Sequence, residues 1–137
     1  MGTWDFGPFD NDNAADWSGE LQDAGPERRV ALIRQTLSEV LHRGEYLDSD
    51  PANRAVAAAA VVASLQPSGS TLTTAYAPDF LTGGGTLDIP ADLPALALRA
   101  LDRIVGDDSE WRDTWEDGLP KALAALRPIR DALESDE

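Results

Sequence analysis

Between Asp50 and Leu65 the chain reads Asp-Pro-Ala-Asn-Arg-Ala-Val-Ala-Ala-Ala-Ala-Val-Val-Ala-Ser-Leu, and no other stretch constrains the fold as strongly. Asp50 is a good helix cap and Pro51 suits a first helical position, where a missing N–H costs nothing. From Ala55 to Ala63 every residue is Ala or Val. A helix that is apolar on all sides is stable in water only when surrounded by other elements. The run is also far short of the ~20 apolar residues a membrane span needs. Small side chains let neighbouring backbones approach closely. The expectation is a helix from Pro51 to about Leu65 at the centre of a bundle.

The rest of the chain supplies helices to surround it. From Glu27 to about Arg43, Val30, Ile33, Leu37, Val40 and Leu41 fall at helical spacing and form one apolar stripe. His42 and Arg43 close that helix against the negative end of its dipole, and Gly44 marks the stop. Leu93, Leu96, Ala97, Ala100, Leu101 and Ile104 give a second stripe, in a helix that starts at Ala91 or Asp92 and ends before Gly106. Asp107-Asp108-Ser109-Glu110 opens a further helix, with Ser109 as its cap. Trp111 and Trp115 are four residues apart and share a face. After Gly118 and Pro120, a last helix carries Leu119, Leu123, Leu126, Ile129 and Leu133. Pro128 inside it should kink or divide it.

No stretch alternates with a period of two. The expected fold is therefore all-α, a single-domain irregular bundle of about five to seven helices within residues 1–137. Three parts stand outside the helices: an irregular arm over 1–13, a long connection near 67–91 and a frayed tail at 135–137. The connection holds Gly83-Gly84-Gly85. It lacks the lysine and the strand-to-helix setting of a phosphate loop and reads as a flexible turn.

The first seventeen residues hold Trp4, Phe6, Phe9 and Trp17, four of the nine aromatics of the chain. Gly2, Gly7 and Pro8 keep it from being helical. Asp10, Asn11, Asp12 and Asn13 then offer caps for a short helix from Ala14 to about Leu21, and Asn13 with Asp16 has capping-box spacing. Asp10, Asp12 and Asp16 are also oxygen ligands of a kind that suits Ca²⁺ or Mg²⁺. The calcium-loop pattern fails, because Ala14 takes its fifth position and Ala15 the place of its glycine. Capping explains these residues. The arm is expected to fold back as a lid on the core, so that Trp4→Ala would destabilise by about 3–5 kcal/mol if its ring is buried.

Gly2-Thr-Trp4, Gly7-Pro8-Phe9-Asp10-Asn11-Asp12 and Ala15-Asp16-Trp17, followed late in the chain by Ser109-Glu110 and Trp115, resemble the signature of the bacterial domain of unknown function 4259 family. Asp5 stands where that family usually has glycine, and Trp111 where it usually has an aliphatic residue. The resemblance implies a small, mostly helical bacterial domain and carries over no catalytic residue.

The absence of cysteine removes disulfides, thiolate metal sites and cysteine nucleophiles together. His42 is the only histidine, and no serine sits in a nucleophile elbow, so Ser-His-Asp chemistry has no candidates. The formal charge is −14, and the first 23 residues hold six carboxylates and no base. Nucleic acid and anionic membranes are disfavoured as direct partners, whereas a basic protein is favoured. A soluble cytoplasmic protein without a cofactor is expected, acting as a non-enzymatic interaction module, for example an antagonist or immunity-type factor. Trp4, Phe9, Asp10, Asn11, Asp12, Asp16, Trp17, Ser109, Glu110 and Trp115 are its candidate interaction or structural-motif residues. Two alternatives stand beside it: a carboxylate-metal hydrolase using Asp10, Asp12, Asp16, Asp107, Asp108 and Glu110, and an acidic mimic of nucleic acid.

Overall fold

The computed structural model describes residues 12–42, 46–65, 90, 92–106, 109–115 and 118–134. Among these residues there are six helices and no strand: α1 Asp12–Asp23, α2 Pro26–Leu41, α3 Ser49–Ser64, α4 Leu93–Val105, α5 Glu110–Trp115 and α6 Leu119–Glu134. The all-α bundle read from the sequence is the observed architecture. The arm up to Asn11, the 67–91 connection apart from Pro90, and the tail at 135–137 lie outside the described residues, and so does the Trp4 prediction.

α3 is the axis, packing against each of the other five helices. Ala55, Ala57, Ala58, Ala59, Val61 and Val62 are sealed from solvent on every side of it. Ile33, Leu37 and Val40 of α2 and Leu93, Ala97, Ala100, Leu101 and Ile104 of α4 close over α3. Leu96 packs at the edge of this core, half-buried. Ala14, Trp17 and Leu21 of α1 cover another flank, and Leu126, Ile129 and Leu133 of α6 a third.

Helix starts depart from the expectation in three places. α3 begins at Ser49, with Asp48 as its N-cap in an extended conformation, so Asp50 is not the cap but a first-turn residue. Pro51 therefore occupies the third helical position, which is also one whose N–H has no intrahelical acceptor. Asn13 lies inside α1 and does not cap it through a box with Asp16; its Nδ2 donates instead to Asp50 Oδ1 at 3.0 Å. The Ser109 side chain caps nothing, because its Oγ is fully buried with no hydrogen-bond partner.

α6 corrects two further expectations. It runs undivided through Pro128. Leu123 is not part of the buried stripe, being 37% exposed, and Ala132 joins Leu126, Ile129 and Leu133 in the core instead.

Arginines stabilise several helix ends and seams. Arg29 donates from Nε to Leu21 O at 3.0 Å and from Nη2 to Gln22 O at 2.8 Å, covering carbonyls at the end of α1. Arg112 Nη1 does the same for Val105 O at the end of α4, at 2.7 Å. Arg34 forks onto both oxygens of Asp92, tying α2 to the cap of α4. The hydrogen bond from Arg34 lowers the Asp92 pKa below the usual carboxylate value, and the guanidinium charge adds to it. No helix among the described residues is long and apolar enough to cross a membrane.

Candidate functional site

Three helix starts are joined at one end of the bundle. The bond from Asn13 to Asp50 links the first turn of α1 to the first turn of α3. Just before α3, Leu47 pairs in a parallel bridge with Ser109, and Glu110 N–H donates to Leu47 O at 2.8 Å. That pairing fixes the start of α5 beside the start of α3. Leu47 is fully buried beneath the junction, whereas Tyr46 next to it is 47% exposed.

The junction gathers residues that are far apart in the chain. Asp12 and Asn13 continue directly from Asp10 and Asn11, and Ser109 and Glu110 follow Asp107 and Asp108. The two motif segments are therefore held on either side of Leu47–Asp50. Asp16, Asp48 and Asp50 are exposed there and Glu110 is half-buried. Acids at helix starts are stabilised by the positive end of the helix dipole, which accounts for their presence without any bound ligand.

Trp17 has a different setting. It is 1% exposed, and its Nε1–H donates to Thr36 Oγ1 at 2.9 Å, while the Thr36 hydroxyl donates to Leu32 O at 2.7 Å. This chain of bonds locks α1 onto α2 and belongs to the core. The remaining candidates Trp4, Phe9, Asp10 and Asn11 lie outside the described residues, as do the side chains of Asp12 and Trp115. Among the described residues no group of three or more His, Asp or Glu side chains comes together in a way that could hold a metal ion.

Tyr46, Leu47, Asp48 and Asp50 are junction residues that sequence reasoning did not single out as a site. Only the pair of good caps at Asp48 and Asp50 signalled them. Two clefts lie elsewhere on the described surface. One, of about 490 Å³, lies between α1 and α2 beside Glu20, Asp23 and Arg28. The other, of about 340 Å³, lies between the end of α4 and the outer face of α6.

Residues 2–125 match the family described as domain of unknown function (DUF4259). Nothing among curated proteins or solved structures matches the chain. With the family match covering most of its length, the chain belongs to the DUF4259 family.

Proposed function

We propose that this member of the family is a non-enzymatic protein-interaction module, of the antagonist or immunity type, whose helix-start junction receives a basic protein partner. The observation that carries the proposal is the joining of the Asp12–Asn13 and Ser109–Glu110 segments on either side of Leu47–Asp50. Exposed Tyr46 offers an aromatic anchor, and Asp16, Asp48 and Asp50 a charged rim. Interfaces are built in this way, with an aromatic centre and a polar edge. Charges on such a rim act mainly on association rate and partner choice.

Affinity capture from native lysate, run in parallel with the Asp16→Lys, Asp48→Lys and Tyr46→Ala variants, tests it. The partner should be retained at low salt and released when the Debye length falls well below ~10 Å. Each variant should lose it while keeping its helical circular dichroism. Equal recovery by all variants, or recovery indifferent to salt, would refute the proposal. A saturable rise in Tm with millimolar Mg²⁺, Mn²⁺ or Ca²⁺ would turn the assignment towards the carboxylate-metal hydrolase.

A further inference from the structure

The cleft between α4 and α6 has an unusual composition. Its apolar part is Val105, Leu126 and the exposed Leu123. Along α6 it is bordered by two cations, Arg127 and Arg130, and two anions, Asp131 and Glu134. On a helix, opposite charges four residues apart ordinarily meet. Here they do not: Arg127 forms no ion pair with Asp131, and Glu134 none with Arg130. Arg130 turns instead to Asp102 of α4, with Nη2 2.6 Å from Oδ1, which ties the two walls together. Both signs of charge are thus left available around one apolar surface. The volume of about 340 Å³ falls at the lower end of the range for small-molecule sites.

We propose that this cleft binds a small zwitterion with an apolar side chain, an aliphatic α-amino acid being the simplest. A simple anion would meet Asp131 and Glu134, and a simple cation would meet Arg127, whose charge no carboxylate among the described residues neutralises. A zwitterion matches both signs. Its carboxylate is matched by the planar fork of the Arg127 guanidinium, which can donate two parallel hydrogen bonds. Its ammonium is matched by Asp131 and Glu134, and its side chain by Leu123 and Val105, which would otherwise remain wet.

The test is a methyl NMR titration of the full chain with L-leucine. The expected result is a saturable shift of the Val105, Leu123 and Leu126 methyl signals, with a dissociation constant on the order of 1 mM for so small a ligand at an open site. Isocaproate, which lacks the amine, and isoamylamine, which lacks the carboxylate, should each bind about tenfold more weakly. Arg127→Gln and Asp131→Asn should weaken leucine by a similar factor while leaving the signals of α3 in place. Absence of saturable shifts at these three methyl-bearing residues would overturn the proposal. So would either analogue binding as tightly as leucine, or both variants binding it unchanged.

Discussion

The Trp17–Thr36 bond allows a quantitative test of how α1 is held to the bundle. Thr36→Val removes the acceptor and leaves the indole N–H buried in an apolar site, at a cost of about 1–3 kcal/mol. Few other terms intervene. Thr and Val have similar helix propensities, and Leu32 O keeps its ordinary backbone donor one turn later when the hydroxyl is lost. Trp17→Phe removes the donor and part of a ring that is 1% exposed. The lost hydrogen bond is worth about 1 kcal/mol, and the partly filled space about 1–2 kcal/mol more. In the double variant no donor is stranded, so its cost should fall below the sum of the single costs by about 1–2 kcal/mol. Urea unfolding followed at 222 nm gives all four free energies, and equal m-values would show that the denatured state has not changed. Additivity within about 0.3 kcal/mol would refute the claim that this bond stabilises the fold, as would a Thr36→Val protein as stable as the parent.

Three further outcomes follow from the packing and the charges. Ala58→Leu places a larger side chain where Ala58 is fully sealed within α3, and should destabilise by about 1–3 kcal/mol or more in urea unfolding. Arg29→Ala uncovers Leu21 O and Gln22 O at the end of α1, and should cost about 1–2 kcal/mol in the same assay. Asp92 has a folded-state pKa below its unfolded value because Arg34 donates to it. Its contribution to stability is therefore complete above the ordinary Asp pKa of about 3.9 and is lost as pH falls through the lower, folded value. Carboxyl NMR titration should show the Asp92 midpoint moving up in Arg34→Gln.

The central helix could be read from sequence because burial on all sides needs no knowledge of its neighbours. Its exact start could not. Proline fits any of the first three helical positions, since none of those N–H groups has an intrahelical acceptor, and Asp48 and Asp50 are equally good caps by residue type. Periodicity fails differently for Leu123. Spacing places a residue on a face of its own helix but does not say where the adjacent helix stops. α4 ends at Val105, and Leu123 borders the open cleft at that end. Thr36 is the reverse case: a polar residue beside the α2 stripe is buried because its partner, Trp17, lies 19 residues away in the chain.

The junction was illegible for the same reason. Asn13 and Asp50 are separated by 37 residues, and helix propensity says nothing about pairing over that distance. Net charge concealed a second contrast. The segments 12–42, 46–65, 92–106, 109–115 and 118–134 hold fourteen carboxylates and ten Lys and Arg residues, a net charge of −4. Eleven of the 25 carboxylates and a single base, Arg43, lie in the rest of the chain. Most of the acidity of this protein therefore falls outside those segments, in stretches such as Asp107-Asp108 and Glu116-Asp117 that adjoin helix ends in sequence. Two consequences follow for the proposed interaction. A basic partner steered by the field of the protein should be drawn towards helix ends. And because α3 is held by apolar packing, neutralising Asp107-Asp108 should slow association while leaving the stability of the fold nearly unchanged.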